Sequence, residues 1–240
     1  MEKERGTGTP IVQVRDLRKE YRLGEETVVA LNRINLEIMR GEICCILGTS
    51  GSGKSTLLNQ LAGMEKPTAG GVYIGGVPIS ELEEEELAAF RQERLGFVFQ
   101  SYNLLPALTA TENVALPLMF HGVPQKARER AAVQMLERVG LAHRLDHYPG
   151  QMSGGQQQRV GIARAFITRP AVVFADEPTG NLDTHTTIDI IEMIRGFARR
   201  FNETIILVTH DPELSDYADH IVTLKDGNII GDIKKGENHS

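Results

Sequence analysis

The sequence is poor in several residue types, and each absence narrows the range of possible functions. It has no tryptophan and only two cysteines, Cys44 and Cys45, which are adjacent. Neighbouring residues of a strand point to opposite faces of a sheet, which argues against a disulfide between these two. The seven histidines are scattered and lack the paired spacings of a zinc site. We therefore expect no zinc centre, and we expect both cysteines to be core residues in a reducing compartment.

Long apolar runs and an excess of positive charge are also missing. The longest apolar stretches, such as residues 114–120, are far shorter than the ~20 residues that cross a bilayer. The charged N-terminus is followed by no apolar signal core, and the net charge is −6. Without an overall positive field, a nucleic-acid-coating role is disfavoured. We expect a chain that neither spans a membrane nor is exported, and that has no nucleic-acid partner.

Short apolar segments separated by polar turns predict several β-strands. Residues 11–14 and 31–38 alternate apolar with polar side chains, as half-buried antiparallel strands do. Residues 43–47, 171–175 and 205–208 are continuously apolar instead, which is typical of parallel strands covered on both faces. The pattern therefore predicts an α/β fold with a mostly parallel core sheet and an antiparallel β margin.

Turn and capping residues predict a hairpin and several helices. Asp226 and Gly227 supply the positive φ of a tight turn between two short apolar segments near the C-terminus. Ser80 and Glu83 form a capping-box pattern that predicts a helix start. Further helices are predicted at residues 55–62, at 124–139, and after Asp183, where Ile188, Ile191 and Ile194 form an apolar face.

The division of the chain follows from the same patterns. Residues 101–150 show no strand pattern, which predicts an inserted helical subdomain. The polar ends predict flexible tails at residues 1–9 and 234–240. Residues 1–240 are therefore expected to form one domain, with its core in residues 10–100 and 151–233.

A glycine-rich loop after the first continuously apolar strand matches the pattern G-x-x-x-x-G-K-[ST]. Its residues are Gly48, Thr49, Ser50, Gly51, Ser52, Gly53, Lys54, Ser55 and Thr56. Glycines let successive backbone N–H groups converge on phosphate oxygens, and the helix that begins near Lys54 turns its positive end toward the same anion. We expect Lys54 to reach the β- and γ-phosphates of a nucleotide and Ser55 to ligate Mg²⁺. This is the P-loop NTPase arrangement.

Two adjacent carboxylates, Asp176 and Glu177, end the apolar strand of residues 172–175. A carboxylate at the carboxyl end of such a strand lies beside the phosphate loop, where Asp176 can hold Mg²⁺. Glu177 is one residue further along and can accept a proton from an attacking water molecule. This pair favours nucleotide hydrolysis over binding alone.

A second anion-binding pattern lies about a hundred residues after the phosphate loop. Its residues are Ser153, Gly154, Gly155 and Gln156. Ser153 is a good N-cap for the helical run that follows, and the glycines permit close approach of an anion to the helix start. One chain therefore carries two phosphate-binding patterns.

This combination resembles the ATP-binding-cassette (ABC) ATPases, whose signature L-S-G-G-Q is matched except that Met152 stands in place of leucine. The resemblance covers residues 10–233. Gln100 falls at the Q-loop position of the family, His210 at the switch histidine, Tyr21 at the adenine-stacking aromatic, and residues 180–183 at the D-loop. Separately these matches are weak, but their order and spacing are specific.

The resemblance implies how such a chain works. Two copies pair head to tail, and the S-G-G helix of one closes on ATP held by the other's phosphate loop. Glu177, His210, Lys54 and Gln100 would be the catalytic residues, while Ser55, Gln100 and Asp176 would hold Mg²⁺. The family implies peripheral attachment to the cytoplasmic face of the membrane, through a permease subunit whose coupling helix docks at about residues 100–119.

The flanking motifs are similar to those of the lipoprotein-release, macrolide-export and antimicrobial-peptide-export ATPases. A cell-division ATPase that regulates cell-wall hydrolysis without transport shares much of this pattern and stays open as an alternative. A chromosome-organising ATPase would need a long coiled coil, and no sustained heptads are present. A small-molecule kinase would lack the S-G-G-Q pattern.

Overall fold

The structure of the protein is a computed structural model that describes residues 9–24 and 26–235. Within these ranges the chain forms ten strands and six α-helices. The strands are β1 (Val12–Leu23), β2 (Glu26–Ile38), β3 (Ile43–Leu47), β4 (Ala69–Ile74), β5 (Val77–Pro78), β6 (Leu95–Phe99), β7 (Val172–Asp176), β8 (Thr204–Thr209), β9 (His220–Lys225) and β10 (Asn228–Lys234). The helices are α1 (Lys54–Leu61), α2 (Glu84–Arg94), α3 (Ala110–Phe120), α4 (Gln125–Arg138), α5 (Gly154–Phe166) and α6 (Thr184–Phe201).

The strands form two sheets, which confirms the predicted α/β fold. The larger sheet has the order β10-β9-β3-β8-β7-β6, and all its neighbours pair in parallel except β9 with β10. Strands β1, β2, β4 and β5 form a separate antiparallel sheet. The antiparallel sheet is therefore larger than the predicted margin. Strands β4 and β5 were not predicted, because β4 is rich in glycine, β5 is short, and neither shows a clear strand pattern in the sequence.

The larger sheet separates two hydrophobic clusters, and the adjacent cysteines show how. Cys44 packs with residues of the antiparallel sheet and α1, while Cys45 packs with residues of α3–α6 on the other face. Burial raises the pKa of both thiols, that of Cys45 to about 12, so both stay protonated. The prediction that both are core residues on opposite faces is confirmed.

The hairpin prediction is confirmed, since Asp226 and Gly227 have φ values of 47° and 71° between β9 and β10. The capping box at Ser80 is wrong. The N-cap of α2 is Glu83, whose box partner is Glu86, whereas the Ser80 hydroxyl accepts a hydrogen bond from the Val72 amide at 2.7 Å. The Ser80 hydroxyl therefore binds the backbone of β4 and does not cap α2. The sequence pattern did not predict β4.

Two further expectations need adjustment. Ile188 of α6 is 47% exposed, while Ile191 and Ile194 are buried as predicted. Lys234, placed in the C-terminal tail, is the last residue of β10 and pairs with His220; residues 1–8 and 236–240 of the two tails lie outside the described residues.

The segment of residues 101–150 contains α3 and α4 and no strand. Both helices pack against α5, so the helical subdomain lies over the helix that follows Ser153. Among the described residues, no helix combines the length and the apolar character needed to cross a bilayer.

Candidate active site

The parallel strands bring the functional residues to one edge of the larger sheet. In register, Leu47 of β3 lies beside Thr209 of β8, and Asp176 of β7 lies between Val208 of β8 and Phe99 of β6. The carboxyl ends of four strands therefore meet there, and a ligand site is expected outside such an edge. The phosphate loop follows β3 at this edge. Gln100, Glu177 and His210 are the first residues after β6, β7 and β8.

Glycines shape the phosphate loop. Gly51 and Gly53 have φ values of 78° and 103°, which side chains disfavour. A Cβ at Gly48 would collide with the Ser52 hydroxyl and the Leu224 carbonyl. Gly53 is also the N-cap of α1, and no acidic residue occupies the first turn of that helix. The positive end of α1 is therefore left for an anion.

Lys54 is buried at the start of α1. Its Nζ donates to the carbonyl oxygens of Gly48 at 2.7 Å and Thr49 at 3.0 Å. These bonds hold the ammonium group across the loop, where it can interact with an incoming phosphate. Its contact with the β- and γ-phosphates remains a prediction.

The loop borders an open cavity of about 930 Å³. Its lining includes Thr49, Lys54, Ser55 and Thr56, together with Glu177 and His210. The loop residues Ser50, Gly51 and Gly53 also line it, while sequence reasoning did not predict the part of the lining that comes from residues 28–30 of β2 and the turn of residues 226–227. The sequence predicted the turn but gave no sign that either segment lies beside the loop, because only the topology places them there.

Glu177 and His210 meet at the cavity. Nδ1 of His210 lies 3.0 Å from Oε1 of Glu177, and the imidazole is 62% exposed while the carboxylate is 24% exposed. Glu177 has a φ of 42°, a conformation that costs a non-glycine residue about 1–2 kcal/mol. Hydrogen bonds from its amide to the Val208 carbonyl and from the Gly180 amide to its own carbonyl hold it there.

Asp176, like Glu177, is half-buried. Burial raises the pKa of its carboxyl group, the neighbouring Glu177 raises it further, and Lys54 opposes both. A cation bound beside it would favour the ionised form. Asp176 and the Ser55 hydroxyl are hard oxygen donors, which suit Mg²⁺. The described residues contain no group of three acidic, histidine or cysteine side chains placed for a metal.

Gln100 is turned toward the D-loop position. Its Nε2 lies 3.4 Å from Oδ1 of Asn181, and Nδ2 of Asn181 donates to the Gln100 carbonyl at 3.1 Å. Gln100 is not among the described residues that line the cavity. Its predicted roles in catalysis and metal binding remain predictions.

The Ser153–Gln156 tip, residues 153–156 at the start of α5, is a capped helix N-terminus. The Gln156 amide donates to the Ser153 hydroxyl at 3.3 Å, and the Ser153 amide donates to Oε1 of Gln156 at 3.0 Å. Of the described residues that line the phosphate cavity, none belongs to this tip. Met152, just before it, is 6% exposed and packs in the core, so the exchange of leucine for methionine falls beneath the tip.

Two polar residues of α5 were missed by sequence reasoning. Nε2 of the buried Gln158 donates to the Pro178 carbonyl at 2.6 Å, immediately after Asp176 and Glu177. Arg164 donates to the carbonyls of Tyr102 and Asn103, beyond Gln100. A glutamine on the apolar side of a helix was the available signal for the first of these.

Tyr21 lies on β1 opposite Val28 of β2, and Val28 lines the cavity although Tyr21 does not. The Tyr21 hydroxyl donates to Oε2 of Glu65 at 2.7 Å. Burial raises the pKa of the phenol, and the bond to Glu65 raises it further. Its stacking on adenine remains a prediction.

Sequence comparison agrees with this geometry. The chain matches the ABC transporter family over residues 31–180. It is 47% identical over 222 residues to the macrolide export ATP-binding/permease protein MacB of Vibrio parahaemolyticus, a match that covers 92% of this chain and 34% of MacB. It is 49% identical over 226 residues to an uncharacterised ABC transporter ATP-binding protein of Thermotoga maritima, covering 94% and 96% of the two chains.

The fold is similar to that of solved cassettes. The dimeric structure of MJ0796, described as a bacterial ABC transporter cassette, superposes with a TM-score of 0.86 at 40% identity and covers 93% of this chain and 98% of that one. A second structure of MJ0796, in a post-hydrolysis state bound to ADP and Pi, gives the same values. This chain spans about a third of the length of MacB but nearly all of these single cassettes. The matched residues, the identity and the common fold show that the chain belongs to the ABC transporter family, as an ATP-binding ATPase domain.

Proposed function

We propose that this chain hydrolyses ATP in a head-to-tail homodimer and thereby drives a separate membrane permease. The observation that carries the proposal is the separation of two anion-binding helix starts. The cavity holds Lys54 and Glu177, whereas the Ser153–Gln156 tip contributes nothing to it. A second copy can bring its own tip to the open side of the cavity and complete the set of donors.

The chemistry follows from the residues around the cavity. Lys54 and the N-terminus of α1 bind the phosphates, and Glu177 orients and deprotonates the attacking water. His210, 3.0 Å from Glu177, orients that carboxylate and faces the γ-phosphate. Ser55 and Asp176 would hold Mg²⁺, which when bound neutralises charge on the β- and γ-phosphates. Gln100 would join them after releasing Asn181.

The permease docks, in this proposal, at a groove of about 580 Å³ that we call the α2–α3 groove. It is lined by β6 and by parts of α2, α3 and α5, and its aliphatic and aromatic rim includes Met64 and Phe120, which are 45% and 62% exposed. Arg164 also lines the groove while it holds the chain after Gln100. An apolar helix seated here would therefore touch a residue that contacts the Q-loop segment. This would place the chain at the cytoplasmic face of the membrane.

The relatives favour an export-type permease. MacB of Vibrio parahaemolyticus is named a macrolide export ATP-binding/permease protein, and it is about three times as long as the match. We therefore propose that a permease of this kind is the partner. The cell-division alternative predicts a division protein in place of a permease after co-purification.

A mixing experiment tests the shared site. Lys54→Ala removes the phosphate-binding lysine, and Ser153→Arg blocks the tip. Each variant alone should fail to trap radiolabelled ATP. In a mixed dimer, one site combines the intact loop of one chain with the intact tip of the other, so mixing should restore trapping at one nucleotide per dimer. No restoration on mixing would contradict the head-to-tail arrangement.

A further inference from the structure

Glu65 is a carboxylate that the proposed mechanism does not use, yet it joins three side chains near the cavity. Its Oε2 accepts from the Tyr21 hydroxyl at 2.7 Å and lies 3.1 Å from Nζ of Lys19. Its Oε1 accepts from Nδ2 of Asn59 at 3.1 Å. Tyr21 and Lys19 belong to β1, whereas Asn59 belongs to α1. Glu65 therefore connects the strand of the adenine-stacking candidate to the helix that leaves the phosphate loop.

The turn after α1 fixes the position of Glu65. The chain reverses at Gly63, which has a φ of 63°, and the Met64 amide donates to the Asn59 carbonyl at 2.8 Å. Burial acts to raise the pKa of the Glu65 carboxyl group, but the hydrogen bonds from Tyr21, Lys19 and Asn59 outweigh it and leave the pKa lowered. The group is therefore an ionised acceptor at neutral pH, and bonds to a charged acceptor are stronger than neutral ones.

The surroundings of Tyr21 leave a defined place for a base. Thr56, in the first turn of α1, lines the cavity, and its hydroxyl acts to lower the pKa of the Tyr21 phenol. Val28, the partner of Tyr21 in register, lines the same cavity. Nζ of Lys19 lies 5.1 Å from the centroid of the Tyr21 ring, over one face. A purine that stacks on Tyr21 therefore has to use the opposite face.

We propose that Glu65 is a positioning residue that holds the Tyr21 ring in a fixed relation to the phosphate loop. This inference rests on the proposed ATP hydrolysis and on the predicted stacking of Tyr21 on adenine. With the ring fixed in advance, ATP binds without having to order it, and preorganisation of one side chain is worth about three- to tenfold in affinity. Glu65 acts on the base and leaves the phosphate contacts of Lys54 unchanged.

The test compares ATP with inorganic triphosphate, which has no base. Glu65→Ala should raise the Kd and KM for ATP about three- to tenfold while kcat and the Kd for triphosphate stay at wild-type values. Tyr21→Phe keeps the ring but loses the hydroxyl, so it should have a similar effect, and adding Glu65→Ala to it should change nothing further. Glu65→Gln keeps an acceptor oxygen and should recover part of the affinity.

The outcomes separate this inference from the proposed function. Wild-type ATP affinity in Glu65→Ala, equal weakening of ATP and triphosphate, or additive effects in the double variant would each overturn the positioning role. Tyr21→Ala distinguishes the two levels. If it weakens ATP binding and Glu65→Ala does not, only the role of Glu65 fails. If Tyr21→Ala binds ATP normally, the adenine role of Tyr21 fails with it.

Discussion

The phosphate loop and the Ser153–Gln156 tip are both glycine-bearing helix starts, but their surroundings differ. The loop wraps around its own cavity, with buried Lys54 across it and Glu177 in the lining, just after Asp176 at the carboxyl end of β7. The tip is closed by its own capping box and lies apart from that cavity. A helix N-terminus attracts an anion in both places, but only the loop has the groups that bind and activate a nucleotide. In the proposed homodimer, the second copy would supply the phosphate that the tip binds.

The largest expected effect separates binding from turnover at the loop. Glu177→Gln removes the base but keeps the shape, so turnover should fall by at least about 100-fold while ATP binding persists. Light scattering should then detect a stable ATP-held dimer. Glu213→Gln is a matched control on a nearby exposed acid and should behave as wild type. Wild-type turnover in Glu177→Gln would remove this residue from its role.

The next effect tests the tip. Ser153→Arg places a bulky charge at the start of α5, so ATP-dependent dimerisation should be lost while single-site ATP binding stays within about twofold of wild type. Gly196→Arg adds the same charge on α6, where the structure leaves open space for a side chain, and should dimerise normally. Undiminished dimerisation of Ser153→Arg in sedimentation experiments would show that the tip is not shared.

A smaller effect concerns the edge of the sheet opposite the active site. Glu203, just before β8, is 3% exposed with both carboxylate oxygens unpartnered, and burial raises its pKa to about 8 against a weaker opposing effect of Arg169. Because the unfolded chain ionises at lower pH, this group lowers the free energy of unfolding as the pH rises from about 4.5 to 8. Glu203→Gln should therefore be more stable by about 4 kcal/mol at pH 8.

The pH dependence is what identifies the cause. In denaturant titrations the advantage of Glu203→Gln should be absent below pH about 4.5, grow up to about 8, and then level off. A constant difference at all pH values would show that packing, and not ionisation, is responsible.

The smallest effect lies beneath the tip. Met152→Leu restores the residue typical of the family signature at a buried position, and apolar exchanges of similar volume change stability by less than about 1.5 kcal/mol. ATP turnover and dimerisation should match wild type, because the phosphate would meet the backbone of the tip and not this side chain. A several-fold change in the ATP concentration needed for dimerisation would link the core to the tip more tightly than the packing indicates.

What the sequence revealed depended on how local the signal was. Three features could be recognised from a few consecutive residues: the phosphate loop, the capped tip and the Asp226–Gly227 turn. Each of them requires glycine or a capping residue at a fixed position. Strands β3, β7 and β8 were predicted because burial on both faces leaves an unbroken apolar run. These signals were enough to predict the fold class and the candidate residues.

The misses have a different origin. Strand β4 is glycine-rich because a side chain at Gly70 would collide with the backbone of residues 15 and 16, a constraint imposed by β1 and invisible locally. The amide of Val72 in the same strand binds the Ser80 hydroxyl, so Ser80 does not cap the helix that the sequence pattern predicted. The partners of Tyr21 and Gln158 lie tens of residues away in sequence. Tertiary contacts, and not local preference, decided all of these.

The hydrogen bond between Gln158 and the Pro178 carbonyl has a consequence for the coupling between the two nucleotide sites of a dimer. It links α5, whose tip would bind the partner's nucleotide in the proposed homodimer, to the turn that follows Glu177, the proposed base. A movement of α5 would therefore also move the turn after Glu177. In a pair of such chains, hydrolysis at one nucleotide site would then depend on the state of the other site.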